Sequence, residues 1–259
     1  MSVRQLLDLS GRIAIVTGGS RGIGLQMAAA LGEMGARVAL TARKQDELDA
    51  ARAQLEASGV ECLTVTGDLS ASTSIASAVD AVLRRWTHID IVVNNAGTNW
   101  AAPAEDYPTE AWRKVLDLNL DAAFFLLREV ATRSMIPRRS GKIVNIASVA
   151  GFLGNPPEWE MRTIAYNTSK GALVAMTRAL AAEWGKYNIN VNAICPGFFP
   201  SKMTKVTLDR IGESVLALTP LGRLGGDEDL KGTVVFLASE ASRHITGQAL
   251  AVDGGASVI

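Results

Sequence analysis

From Ile13 almost to the C-terminus, short β-branched runs alternate with longer helical patterns, and this rhythm restricts the fold more than any other feature of the chain. Such alternation favours βα units around a parallel sheet over a sandwich or a helical bundle. Strands are expected near Ile13–Thr17, Arg37–Thr41, Glu61–Thr66, Ile89–Asn94, Lys142–Ala147, Asn190–Cys195 and Gln248–Val252, with helices in most of the gaps. About seven parallel strands with helices on both faces make a doubly wound α/β sheet, and 259 residues suit one such domain over 1–259. The helix after Tyr166 shows a buried stripe at Leu173, Met176, Leu180 and Trp184, with Arg178, Glu183 and Lys186 outside it. Two segments break the rhythm, residues 151–163 and 196–226, both rich in Pro or Gly. Each follows a strand end, where open α/β sheets bind ligands.

Charge excludes some partners. Lys+Arg and Asp+Glu number 26 each, so nothing draws the chain electrostatically to nucleic acid or to an anionic membrane, and a small-molecule partner is expected. No stretch approaches the ~20 apolar residues of a spanning helix, and residues 1–10 lack the apolar run of a leader. A soluble, cytoplasmic protein is the expectation. Cys62 and Cys195 are too few for a disulfide framework or a zinc site and sit in strand-like runs, so both read as reduced core thiols. His88 and His244 have no second ligand at metal spacing.

The first strand runs directly into Thr17-Gly18-Gly19-Ser20-Arg21-Gly22-Ile23-Gly24, and Leu25 to Met34 continues as an apolar helix. Glycines here let the chain turn sharply and approach a pyrophosphate, while free N–H groups at the helix start favour negative charge. A strand, a glycine loop and a helix in this order point to a dinucleotide, although the glycines at 18, 22 and 24 depart from the usual G-x-G-x-x-G spacing. The second strand ends Leu40-Thr41-Ala42-Arg43-Lys44, with no carboxylate for the adenosine ribose. Guanidinium groups fit phosphate oxygens in fork geometry, so Arg43 with Arg21 can hold a 2′-phosphate, and NADP(H) is preferred over NAD(H) as the expected cofactor. Asp68, followed by Leu69, either accepts from the adenine amino group or caps the next helix.

Lys170 follows Tyr166 by four residues, which on a helix puts the phenol and the ammonium on one face. A nearby cation favours the phenolate and so suits the tyrosine to passing protons.

In order along the chain, Thr17 to Gly24, Asn94-Asn95-Ala96-Gly97, Asn119, Ser148, Tyr166 with Lys170, and Pro196-Gly197 resemble the short-chain dehydrogenase/reductase family over essentially the full length. The resemblance is nearest to reductases of 3-oxoacyl thioesters and to gluconate 5-dehydrogenase-like enzymes. It implies a Rossmann-type fold and an oxidoreductase acting on a ketone or secondary alcohol, with Asn119, Ser148, Tyr166 and Lys170 as catalytic residues. It implies further that Gly18, Ser20, Arg21, Gly22, Ile23 and Gly24 hold the cofactor's phosphates. Asn95, Ala96 and Gly97 would line its middle, and Pro196, Gly197, Phe199 and Ser201 would flank the nicotinamide with Tyr166 and Lys170. A homotetramer or homodimer is implied, with residues 249–259 in the interface.

On this reading Ser148 orients the carbonyl oxygen, Tyr166 donates the proton and Lys170 lowers the tyrosine pKa while holding the ribose. Asn119 either holds a water linking Lys170 to solvent or is a helix-interior Asn bonding to backbone. Ser148 and Tyr166 lie 18 positions apart, longer than the family's usual interval, with a short insertion within residues 155–163. That insertion either rims the substrate mouth or bulges without touching substrate. Phe198, Phe199 and Met203 are candidate pocket residues, whereas Trp100, Tyr107 and Trp112 either pack over a loop, the preferred reading, or contribute one or two walls of the pocket. Three functions stay open: an NADP(H)-dependent enzyme on a ketone such as a 3-oxoacyl thioester, an NAD(H)-dependent sugar-acid or polyol dehydrogenase, and a non-catalytic dinucleotide-binding protein.

Overall fold

Seven strands lie in one parallel sheet in the computed structural model, which describes residues 1–259: β1 (Ile13–Thr17), β2 (Arg37–Ala42), β3 (Cys62–Thr66), β4 (Ile91–Asn94), β5 (Gly141–Ile146), β6 (Ile189–Pro196) and β7 (Ala249–Val252). The four central strands β1, β4, β5 and β6 are buried along their whole length, because helices cover both faces; β1 and β4 accordingly read as near-continuous apolar runs, while the polar residues of β5 and β6, Lys142, Asn145, Asn190 and Asn192, are buried with hydrogen-bond partners. The spatial order is β3-β2-β1-β4-β5-β6-β7. The chain therefore leaves β1 toward one edge, then returns to build from β4 toward the other. This reversal opens a crevice at the carboxyl ends of β1 and β4, the switch point at which doubly wound sheets bind ligands.

Residues alternate across the sheet with period two. Val144 and Ile146 pack with the helices Gly22–Glu33, Gln45–Ala57 and Lys231–Ala238 on one face. Ile143 packs with the helices Ser72–Trp86, Ala122–Val130 and Ile164–Trp184 on the other. Within Ile164–Trp184, Leu173 and Leu180 are buried and Met176 and Trp184 pack against the core, while Arg178 and Glu183, and Lys186 in the turn that follows, are exposed, as the stripe requires. The expected strand limits are met within two residues. The largest departure is at Ile89, which stays out of the β4 ladder because its N–H donates instead to the Ser134 hydroxyl at 2.8 Å.

Cys62 and Cys195 are unpaired and buried, and burial pushes both thiols up to about 11. His88 lies at the far end of the sheet, its Nε2 3.1 Å from the buried Asp90, whose other carboxylate oxygen is held by Arg138 at 2.6 Å. That cluster joins β1, β4 and the helical run 109–138 at the end opposite the crevice. No helix is long and apolar enough to cross a membrane, and no cluster of His, Cys, Asp or Glu has a metal-binding arrangement.

Candidate active site

The crevice begins at the turn between β1 and its helix. Gly18 takes φ +62°, and a Cβ there would come within 3.0 Å of the Asn95 amide and 3.1 Å of the Ala96 backbone, so only glycine fits. Asn95 braces this turn, its Nδ2 donating to the carbonyls of Thr17 at 2.9 Å and Gly18 at 3.1 Å. Thr17 replies through its hydroxyl oxygen, which accepts the N–H groups of both Asn95 and Ala96 at 2.9 Å. A side chain on Gly24 would run into the carbonyl of Gly18, so this glycine lets the helix seat against the strand end. At the start of the twelve-residue helix Gly22–Glu33, the N–H groups of Arg21, Gly22 and Ile23 have no protein partner. They line a cleft of about 300 Å3 together with Ser20 and Gly18. Unpaired donors at a helix N-terminus, with no Cβ in the way, fit a pyrophosphate.

The same cleft continues past Arg43, Asp68 and Leu69 on one side and past Asn95, Ala96 and Gly97 in the middle. It ends between Tyr166 and Lys170 and the segment holding Pro196, Gly197, Phe199 and Ser201. The residues expected around a dinucleotide thus converge on one surface. At the adenosine end Arg43 is exposed and has no ion-pair partner, whereas Arg21 donates to Glu47 at 2.9 Å and Lys44 lies 3.4 Å from the same carboxylate oxygen. Asp68 caps its own turn, its Oδ1 accepting the Ser70 N–H at 3.0 Å and the Ser70 hydroxyl at 2.8 Å. Ser201 pairs with the Thr204 hydroxyl at 3.0 Å, which holds the loop after β6 closed on itself.

Ser148 stands two residues beyond β5 with its hydroxyl oxygen accepting the Ala150 N–H at 3.1 Å. Tyr166 and Lys170 stand in the first turns of Ile164–Trp184. The Lys170 ammonium lies 5.5 Å from the centre of the Tyr166 ring and donates to the Ile146 carbonyl at 2.7 Å. Burial lowers Lys170 to about 8, against a weaker upward pull from Cys195. Burial also raises Tyr166, with Ser148 pulling the other way by hydrogen bonding. The net shift of the phenol is thus upward, opposite to the direction that the Tyr–Lys spacing alone predicts, because the desolvation of a phenolate outweighs the help it receives. The phenol is accordingly protonated at neutral pH, the form a proton donor needs.

Asn119 is buried in a π turn, Asp117–Asp121, within the helical run 109–138. Its amide donates to the Thr98 carbonyl and to the Ser169 hydroxyl, each at 3.0 Å, and its oxygen accepts the Thr98 N–H at 2.8 Å. It bonds to backbone, as one of the two sequence readings had it, but to the segment after β4 and not to its own helix. With both donors spent, the side chain can offer a relay water only the second lone pair of Oδ1.

A second cavity, of about 680 Å3, opens beside the first. Ser148, Tyr166, Gly197, Phe199, Met203 and Thr204 line both. Of the insertion, Asn155, Pro156, Trp159, Met161 and Thr163 face this cavity, while Glu158, Glu160 and Arg162 do not. The insertion is held down: the Asn155 amide donates to the Met161 carbonyl at 2.7 Å, Arg210 donates to the Trp159 carbonyl at 2.7 Å, and the Trp159 ring meets Phe198 edge-on at 5.8 Å. Phe198, Phe199 and Met203 line the cavity; Trp100, Tyr107 and Trp112 do not, Tyr107 packing edge-on against Trp112 at 6.3 Å. Sequence reasoning missed Glu47 in the first cleft, Ser169 as the partner of Asn119, and the far wall of the second cavity, Val215, Leu218, Leu221 and Ile259. An acidic residue in the first turn of a helix signals only a favourable dipole interaction, so Glu47 carried no mark of the cleft.

Comparison with known proteins agrees with this geometry. The family described as Enoyl-(Acyl carrier protein) reductase matches residues 18–257. The gluconate 5-dehydrogenase of Gluconobacter oxydans is 40% identical over 260 residues, covering 100% of this chain and 99% of that protein. The rhamnolipids biosynthesis 3-oxoacyl-[acyl-carrier-protein] reductase of Pseudomonas aeruginosa is 38% identical over 253 residues, covering 96% of this chain and 97% of its own. Among solved structures, a gluconate 5-dehydrogenase from Burkholderia cenocepacia in complex with NADP and tartrate superposes with a TM-score of 0.93 at 33% identity over 100% of both chains.

Proposed function

The chain belongs to the short-chain dehydrogenase/reductase family and is an oxidoreductase acting on CH–OH groups, and on that premise we propose that it uses NADP(H) to interconvert a ketone and a secondary alcohol. The observation that carries this reading is the position of Ser148 and Tyr166, which face the nucleotide cleft and the second cavity at once. A carbonyl entering from the second cavity meets both hydroxyls where the two spaces join.

When bound, the nicotinamide supplies or takes up the hydride. The chain must orient the carbonyl and manage one proton. Ser148 hydrogen-bonds the carbonyl oxygen. Tyr166 holds the proton at its phenol oxygen and releases it as negative charge builds on the substrate oxygen. Lys170 has three N–H donors and spends one on Ile146, which leaves donors for a ribose hydroxyl and a positive charge beside the phenolate as it forms. Asn119 acts as a positioning residue that clamps the Thr98 segment to Ser169. Alcohol oxidation uses the same groups in reverse.

Arg43, with no ion-pair partner at the adenosine end, supports the 2′-phosphate reading, and 3-oxoacyl thioesters are a first substrate class to assay. The second reading, an NAD(H)-dependent sugar-acid or polyol dehydrogenase, is favoured by Glu47, which lines the same end of the cleft and can accept from ribose hydroxyls. Fluorescence titration with NADPH and NADH separates the two, and equal or tighter NADH binding overturns the first. Assembly as a homotetramer or homodimer is supported by β7, an edge strand whose Leu250 is exposed, and light scattering that gives a monomer defeats it.

A further inference from the structure

The second cavity is built against charged and polyhydroxylated substrates. Its one cation, Arg223, donates to both carboxylate oxygens of Asp229, at 2.5 and 2.8 Å. That hydrogen bonding holds the Asp229 carboxyl down to about 2, so the guanidinium stays neutralised at any working pH. Asp253 is likewise engaged, accepting the Gly255 and Ser257 N–H groups at 2.9 and 2.8 Å. Lys202, near the junction, lines the nucleotide cleft and not this cavity. A sugar-acid carboxylate would find no free cation here.

Free hydroxyl-binding side-chain donors are few. Asn155, Thr163, Thr204 and Thr219 turn their side-chain donors onto protein acceptors, and the Asn99 oxygen accepts the Trp100 N–H, leaving the Asn99 amide nitrogen and the Thr207 hydroxyl without a protein partner. What the wall does offer is apolar surface. Leu153, Leu218 and Leu221 are 43%, 42% and 68% exposed, and Trp159 over Phe198 closes the insertion side. Exposed apolar area of this extent, continuous with Ser148 and Tyr166, is stabilised by covering it with hydrocarbon.

Resting on the oxidoreductase reading above, we propose that the physiological carbonyl carries an uncharged, largely hydrocarbon substituent seated in this second cavity, and that Trp159 of the insertion sets the preference for it. The substrate class is a bulky or chain-bearing ketone, not a sugar acid.

The test is NADPH oxidation by the purified protein with ethyl esters of 3-oxo acids of increasing chain length, from acetoacetate upward, and with 5-ketogluconate. Each methylene that enters the cavity is expected to raise kcat/KM by up to about fourfold. Trp159→Ala should lower kcat/KM for the longest ester by about tenfold or more and flatten the series, while Trp159→Phe keeps most of it. A flat series in the wild type, or a higher kcat/KM for 5-ketogluconate than for the longest ester, overturns the proposal and leaves the oxidoreductase reading standing. If no carbonyl of either kind oxidises NADPH although NADPH binds, both fall together.

Discussion

The ammonium of Lys170 donates to the main-chain carbonyl of Ile146 at 2.7 Å, and Ile146 is the last residue of β5, two positions before Ser148. One hydrogen bond thus ties the helix that carries Tyr166 to the strand that delivers Ser148. The eighteen-position interval between the two hydroxyls can loop out through the insertion without moving either one, because their relative position is set below the loop and not by it.

Lys170→Met removes a buried cation, and its effect on folding should depend on pH. In the folded protein Lys170 titrates at about 8 and in the unfolded chain at its ordinary 10.5, so between these values the unfolded state binds more protons. Wild-type stability therefore gains from this group as pH rises above about 8, by no more than about 1.4 kcal/mol per pH unit. Any stability advantage of the Met variant at pH 7 should shrink at pH 9, and urea denaturation of both proteins at the two pH values checks it. Tyr166 and Cys62 are common to the pair and cancel, and Cys195, on which Lys170 acts, titrates at about 11, above both pH values. A difference independent of pH would show that Lys170 is not depressed by burial.

Tyr166→Phe keeps the ring and removes the proton. The phenol oxygen meets only the Ser148 hydroxyl among protein groups, and that hydroxyl stays open to the cleft, so the variant should fold nearly as well as wild type and bind NADPH equally. Turnover should fall by about two to four orders of magnitude. Steady-state rates beside a cofactor titration decide this, and an unchanged rate removes Tyr166 from the chemistry.

How much of this was legible beforehand depended on whether a residue acts through local pattern or through long-range contact. β1 was readable to the residue, because strands buried on both faces have an unbroken apolar signature and a glycine loop to end them. Tyr166 and Lys170 were readable because helical spacing alone puts them on one face. The π turns at Asp117–Asp121 and Ala131–Met135 were not, since one extra residue in a turn leaves no trace in a short apolar pattern. The raised pKa of Tyr166 was equally hidden, because it follows from burial by segments distant in sequence. The far wall of the second cavity comes from Lys205–Ala217, the turn after it and Ile259, which carry no motif.

Cofactor choice should respond in opposite directions at two residues of the adenosine end. Arg43→Ala removes a cation with no ion-pair partner and should weaken NADPH binding by about ten- to a hundredfold, with little effect on NADH. Glu47→Gln removes the carboxylate that engages Arg21 and shares Lys44, freeing both cations and lifting a like-charge penalty on a 2′-phosphate. It should tighten NADPH and weaken NADH. Dissociation constants for both cofactors on both variants test the pair, and an NADPH affinity indifferent to Arg43 would sink the phosphate assignment.

Thr17 sits fully buried at the end of β1, where its hydroxyl oxygen accepts two N–H groups, from Asn95 and Ala96, at 2.9 Å each. Thr17→Val is nearly isosteric, so it leaves no cavity and isolates the hydrogen bonds. Two main-chain donors in a half-buried turn would lose their acceptor, and an unsatisfied buried donor costs about 1–3 kcal/mol. Partial access from the cleft reduces that, so a loss of about 2 kcal/mol is expected in urea denaturation. Thr17→Ser keeps the oxygen and should recover most of it. Because the turn that Thr17 holds also positions the Asn95 amide on the Gly18 carbonyl, the Val variant should bind NADPH more weakly even under conditions where it is fully folded. A Val variant as stable and as tight-binding as the Ser variant would mean that these two N–H groups find other acceptors, and the bracing of the glycine turn would have to be sought in Asn95 alone.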